Sequence, residues 1–433
     1  MKVLVCDDEK NRCDDVVRAI DAAAQSDVSV NSLCGGTLTT ELMALFDKVK
    51  IYLQDPKSER LGIETSFDNF DMVFLDNNLA HLDIKGTILT AEAIAGYMRA
   101  FTTTPYIISL NKNSDVDFDL RYLVGDYETR ADLALNTKHL ANAALWTGRR
   151  TDTKDAYLPW YWPALGAVSD RRRSQIAFIH GKLSDPVFGA LGIPSDEGSL
   201  GFLSLHAQGT LSPDATSDGM RSRDGGIPID TLTFRDVFLG KNRSLPTRDE
   251  RCRIVDAADA GSADAHIVIS RVVAGDIDFW FRRDVLGPQE MLVDVPHLLM
   301  RMPFLLGTRA SDIEQWNRTI DEATPPFGLE QPLFEAHLKK EQFQHPIWVP
   351  SPSFWWSKLK ADEKLAGLFF ETKPEEWCDA VFCEDRSEFS ERSAAAEKTA
   401  PIEFSTEFEG SWARRYVARI PGYRYSPLMR FSV

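Results

Sequence analysis

DMVFLDNNL, residues 71–79, is the stretch that decides the fold of the first third of this 433-residue chain. Four apolar residues stand in a row between two aspartates, and such a run is typical of a strand buried on both faces of a sheet. The strand ends at Asp76, and further polar residues follow at once. A buried strand that ends on a carboxylate predicts a parallel sheet with functional groups at the carboxyl ends of its strands.

Comparable apolar runs occur on both sides of this stretch. They predict strands at Lys2–Cys6, Val28–Leu33, Tyr106–Leu110 and Asp132–Leu135. Between them, apolar residues recur at helical spacing, most clearly from Thr37 to Asp55 and from Ile88 to Phe101. Strands that alternate with helices predict an α/β fold, a doubly wound parallel sheet of five strands with helices on both faces.

Acidic residues gather at the predicted strand ends. Asp7 and Asp8 follow the first strand, and Asp76 ends the third. Three carboxylates at one edge of a sheet repel each other unless a cation lies among them, and a hard divalent ion such as Mg²⁺ prefers oxygen ligands. Ser109 and Lys138, at the fourth and fifth strands, would add a hydroxyl and a positive charge. A phosphoryl group on a carboxylate needs such a set, because metal and lysine neutralise its charge.

Four motifs in this order carry a family resemblance. They are VLVCDDEK at residues 3–10, DMVFLDNNL at 71–79, PYIISLN at 105–111 and ADLALNTK at 131–138. Together they resemble the receiver domain of the response regulators of bacterial two-component signalling. The resemblance covers about the first third of the chain and implies a flavodoxin-like fold.

The resemblance also implies roles for the acidic residues. Asp76 would be the phosphoacceptor, and a histidine kinase or another phosphoryl donor would supply the phosphoryl group. Mg²⁺ would be held by Asp7, Asp8 and Asp76, together with the backbone carbonyl of Asn78.

Two further roles follow from the resemblance. The sequence also departs from the family at two positions close to Lys138. Ser109 would be the switch hydroxyl, and Lys138 the phosphoryl-binding lysine, with Lys112 as a rival. Leu135 replaces the usual aromatic residue, and His139 replaces the proline after the lysine. A receiver-like scaffold that takes no phosphate and serves only for docking is therefore an alternative interpretation.

The chain beyond the receiver-like part has no recognisable catalytic signature. We expect a receiver-like domain over residues 1–148, a linker over 149–158, and a larger α+β output region over 159–433 that could divide into two subdomains. Arg171–Arg173 is predicted to lie on a solvated helical face, and Ala265–Val273 to form a strand. Scattered acid–base candidates leave open an unrecognised enzyme under receiver control: Asp276, Asp278, Asp294, His297, His180 and His206.

Charge excludes some classes of partner. Residues 1–150 carry 16 Lys and Arg against 23 Asp and Glu, and the remaining residues carry 33 against 42, so neither part is basic. DNA binding is disfavoured, because affinity for phosphate backbones comes mainly from Lys and Arg. No apolar stretch is long enough for a membrane span, so we expect a cytoplasmic protein. The sequence predicts a response regulator in which phosphorylation of Asp76 controls how the output region docks a partner protein.

Overall fold

The computed structural model describes the chain in segments that cover most of the first 111 residues and selected helices and strands beyond them. The described residues are 1–24, 28–54, 64–82, 84, 89–111, 130–137, 140, 146, 165–193, 213–216, 219–222, 228–234, 263–280, 292–294, 298–299, 313–322, 343–345, 347–355, 359, 361–365, 380–383, 388–395, 399–401 and 414–418.

A five-stranded, all-parallel sheet with strand order β2-β1-β3-β4-β5 organises the first part of the chain, which confirms the α/β prediction. Its strands are β1 (Lys2–Asp7), β2 (Ser29–Cys34), β3 (Met72–Asp76), β4 (Tyr106–Asn111) and β5 (Leu133–Asn136). Three helices lie between strands that are consecutive along the chain: α1 (Lys10–Ala23), α2 (Gly35–Gln54) and α3 (Ala91–Phe101). A short 3-10 turn, Ser66–Asn69, precedes β3.

The sheet has a hydrophobic core on each face, because the central strands carry apolar residues that point to both faces. One core packs α1 against residues such as Val5, Phe74 and Ile108. The other packs α2 and α3 against residues such as Leu75 and Ile107. Side chains alternate between the two faces of a strand, so these cores show which face each strand residue occupies.

Two helices from beyond residue 148 complete these cores. Helix α4 (Leu165–His180) adds Leu165 and Val168 to the α1 face, and helix α6 (Ala263–Trp280) adds Val268 and Val272 to the α3 face. Helix α6 packs against both α3 and α4. The core clusters on the two faces of the sheet therefore include residues from beyond residue 148.

Helix α6 corrects the predicted strand at Ala265–Val273. That segment is rich in β-branched residues, which favour strands. In the structure it is helical, since its apolar residues cover two neighbouring helices at once. Val268, Val273 and Ile277 are fully buried there.

Small elements follow or lie between these helices. They are α5 (Val187–Leu191), the hairpin strands β6 (Pro213–Thr216) and β7 (Gly219–Ser222), a 3-10 turn at Ile229–Thr231, α7 (Ile313–Glu322) and α8 (Arg392–Ala395). A three-stranded antiparallel sheet has the order β8-β10-β9, with β8 (Leu292–Asp294), β9 (Phe343–His345) and β10 (Val349–Trp355). A four-stranded mixed sheet has the order β12-β11-β14-β13, with β11 (Ala380–Cys383), β12 (Glu388–Glu391), β13 (Thr399–Pro401) and β14 (Arg414–Ala418).

Candidate metal centre

The carboxylates of Asp7, Asp8 and Asp76 converge at the carboxyl edge of the sheet. Each offers one oxygen, and these three oxygens all lie within 4.8 Å of one another. Asp7 ends β1 and Asp76 ends the neighbouring β3, so parallel pairing of the two strands brings their last residues together. The sequence prediction that these residues form one group is met by the geometry.

Backbone groups hold the two aspartates after β1 in place. The Glu9 N–H donates to Asp7 Oδ1 at 2.9 Å, and the His81 N–H donates to Asp8 Oδ2 at 3.2 Å. Asp7 is buried and Asp8 is half-buried. The other oxygen of Asp8, Oδ1, is buried and accepts no hydrogen bond from the described residues.

This arrangement fits a divalent cation. A buried carboxylate oxygen without a donor is unfavourable, and a metal ion would satisfy it. Mg²⁺ is commonly bound by one or two carboxylates with water completing its octahedron, and the three carboxylate oxygens here are close enough together to be candidate ligands of one ion. Asp7, Asp8 and Asp76 are thus the residues that would hold the ion.

The loop after β3 is anchored on both sides. The Asn77 N–H donates to the Leu110 carbonyl at 2.8 Å, and the Ala91 N–H donates to the Asn77 carbonyl at 3.2 Å. Asn78, predicted to offer its backbone carbonyl to the metal, lies within this loop, and its side-chain Oδ1 accepts from the Ala80 N–H at 3.2 Å. Asn78 is therefore in a fixed loop two residues beyond Asp76.

Ser109 does not join the carboxylates. The β3–β4 register pairs Leu75 with Ser109 and Asp76 with Leu110. Because side chains alternate along a strand, Ser109 leaves the sheet on the Ile107 face, whereas Asp76 leaves it on the Phe74 face. The register therefore puts the buried Ser109 on the opposite face of the sheet from Asp76, and it puts Leu110 beside Asp76.

Lys138 and its rival Lys112 lie outside the described residues, as do His139, His206 and His297. Among the other acid–base candidates, Asp276 and Asp278 lie on α6, His180 ends α4, and Asp294 ends β8. These four described candidates therefore lie on three separate elements.

Thiols close to Asp7 are poor metal ligands. Burial, with smaller effects of Cys34 and Asp7, raises the pKa of Cys13 to about 12. Burial also raises the pKa of Cys6 well above its ordinary value. The thiols therefore stay protonated, and the three candidate ligands that converge here are carboxylate oxygens.

A second polar group, missed by the sequence analysis, surrounds Arg172. Its guanidinium donates from Nη1 to Asp132 at 2.7 Å, from Nη2 to Asp278 at 3.0 Å and from Nε to Gln175 at 2.8 Å. It also lies over the Tyr106 ring, with Cζ 5.5 Å from the ring centroid.

The burial of Arg172 corrects the prediction of a solvated arginine face. Arg173 fits that prediction, since it is exposed and pairs with Asp71 and Asp170. A signal for Arg172 was present in the sequence, because it falls on one helical stripe with the buried Leu165, Val168 and Ile179.

Comparisons with known proteins add no family to these observations. No model of a known protein family matches this chain, and no curated protein or solved structure matches it either. Among the described residues, no helix combines the length and apolar character that crossing a membrane requires.

Proposed function

We propose that the first part of this chain is a receiver-like signalling domain of flavodoxin-like topology, in which Asp76 accepts a phosphoryl group beside a bound Mg²⁺. The strand order 2-1-3-4-5 is the flavodoxin-like order, and its ligand sites lie beyond the carboxyl ends of the strands. The convergence of Asp7, Asp8 and Asp76 at that edge is the observation that carries the proposal.

The chemistry would be a transfer of one phosphoryl group to a carboxylate. An Asp76 oxygen forms a new bond to phosphorus, while the bond between phosphorus and the donor's leaving atom breaks. That atom is a ring nitrogen if the donor is a phosphohistidine and an oxygen if the donor is acetyl phosphate. When bound, Mg²⁺ would neutralise charge on the phosphoryl oxygens. Asp7 and Asp8 would hold the ion, and the anchored loop at Asn77 would keep Asp76 at the edge of the sheet.

The partners of such a domain would be a histidine kinase or another phosphoryl donor, and a protein that docks on the region after residue 159. The acidic composition supports a protein partner over DNA.

Intact mass spectrometry after incubation with acetyl phosphate and Mg²⁺ tests the proposal. We expect the wild-type chain to gain the mass of one phosphoryl group and to lose that gain when Mg²⁺ is chelated. Asp76→Asn should abolish the gain. Asp71→Asn is the matched control, because Asp71 directly precedes β3 at its opposite end and bonds to Lys2 and Arg173. An equal gain in Asp76→Asn, or none in wild type, would overturn the phosphoacceptor assignment.

A second function, docking without phosphorylation, is favoured by the position of Ser109. By the family resemblance, a hydroxyl beside the acceptor would respond to the phosphoryl group, and the strand register pairs Asp76 with Leu110 and not with Ser109. Mg²⁺ binding in wild type without any mass gain from acetyl phosphate would support this second function over the first.

A further inference from the structure

Four charged residues form a chain of ion pairs beside the start of β5. Arg99 of α3 donates to Asp132 at 2.9 Å, Asp132 accepts from Arg172 of α4, and Arg172 donates to Asp278 of α6. Two positive and two negative charges therefore join three helices to the residue that precedes β5. We refer to Arg99, Asp132, Arg172 and Asp278 as the four-charge cluster.

Burial is uneven within the four-charge cluster. Arg172 and Asp132 are 1% and 2% exposed, whereas Arg99 and Asp278 are 15% and 20% exposed. The inner pair also has partners outside α6. Arg172 retains Gln175, and Asp132 retains Arg99 and the Ile107 N–H, whose hydrogen bond is 2.8 Å long. Undocking α6 would thus leave no buried charge uncompensated, and Asp278 would return to water.

Helix α6 approaches this surface along one face. Val268, Val272, Gly275 and Asp278 are spaced by three or four residues, which places them on one side of a helix. A methyl group at Gly275 would come within 2.7 Å of Arg99 Nε and 2.8 Å of Arg99 Cδ, so glycine lets the arginine cross the helix on its way to Asp132. The helix therefore matches the surface in shape as well as in charge.

We propose that α6 is a releasable helix docked on the surface formed by α3, the start of β5 and α4, and that the Asp278 carboxylate is a polar anchor of this helix, beside the hydrogen bond that Arg271 donates to the Ala100 carbonyl. The surface fits a helix that carries a carboxylate one turn after a glycine, and its occupant is α6 of the same chain. Release would expose the Arg99 and Arg172 guanidinium groups beside an apolar strip, while the five-stranded sheet stays folded.

Hydrogen–deuterium exchange of the full chain tests this proposal, with Asp278→Asn as the variant. Asp170→Asn is the matched control, because Asp170 is an exposed aspartate that pairs with a neighbouring arginine of α4. Loss of a hydrogen bond between charged groups should make the amides of residues 263–280 exchange roughly tenfold faster in Asp278→Asn. Amides of β1 and β3 should keep their wild-type rates, and the control should leave α6 unchanged.

Two results would overturn the proposal. Unchanged exchange across α6 would show that Asp278 is not an anchor. Faster exchange of β1 and β3 together with α6, or a variant that does not fold, would show that α6 is an inseparable part of the core.

Discussion

Replacing Arg172 by methionine probes one of the most buried charged side chains among the described residues. Methionine keeps most of the side-chain volume and removes the guanidinium. The change deletes the hydrogen bonds to Asp132, Asp278 and Gln175 and the contact with the Tyr106 ring.

The loss in the free energy of unfolding depends on the interactions that Asp132 and Asp278 keep after Arg172 is removed. Breaking a buried ion pair by removing one member costs roughly 3–5 kcal/mol, because the other charge stays behind uncompensated. Asp132 keeps Arg99 and the Ile107 N–H, and Asp278 is 20% exposed and can be hydrated. We therefore expect the lower end, a loss of about 3 kcal/mol in the free energy of unfolding.

Urea denaturation followed by circular dichroism measures this loss, and Arg173→Met is the control. Arg173 is the next residue on the same helix, but its side chain is 47% exposed and its pairs with Asp71 and Asp170 lie at the surface. Exposed pairs contribute about 0–1 kcal/mol. If the two variants lost equal stability, the reasoning from burial would be refuted.

Acid provides a second check on the same variant. Burial by itself raises the pKa of Asp132, but Arg172, Arg99 and the Ile107 N–H together hold it below its ordinary value. A carboxyl whose pKa is lower in the folded chain contributes stability above its unfolded pKa of about 4. That contribution is lost as the pH falls through the folded value. The difference between wild type and Arg172→Met should therefore narrow below about pH 4, and a constant difference down to the acid transition would contradict the assigned role of Asp132.

Three further predictions concern the edge of the sheet that carries the metal centre. Gly35 has φ of +53°, so Gly35→Ala should lower the free energy of unfolding by about 1 kcal/mol. Gly36 has no positive φ and has open space around it, so Gly36→Ala should cost nothing. Equal losses of stability for the two variants in urea would contradict this prediction. Mg²⁺ should raise the unfolding temperature of wild type, because it binds only the folded chain. Asp8→Asn should weaken that rise. An identical rise in the unfolding temperature of wild type and Asp8→Asn, measured by calorimetry, would place the ion elsewhere. Iodoacetamide at about pH 8 should label Cys13 only after denaturation, because the buried thiol stays protonated; labelling of the native chain, read by peptide mass, would refute it.

The parallel sheet and its acidic edge could be predicted from sequence because both depend on local features. An apolar run such as Met72–Leu75 is buried wherever it pairs, and Asp76 is the residue at which it stops. Parallel pairing then brings the ends of neighbouring strands together without further information. The convergence of Asp7, Asp8 and Asp76 required only this.

Strand register and tertiary packing decided the positions of Ser109, helix α6 and Arg172. Ser109 lies in a strand that is apolar on both faces, so no alternation in the sequence could show which face its hydroxyl takes, and pairing with Leu75 settled it. Helix α6 has the composition of a strand and is helical because α3 and α4 bury its apolar side. Arg172 was one of three adjacent arginines in the sequence. Only the tertiary fold surrounds it with Asp132 and Asp278, which lie 40 and 106 residues away along the chain. Interactions over such separations have no local signature, because the partner of a buried charge is chosen by the packing of whole elements.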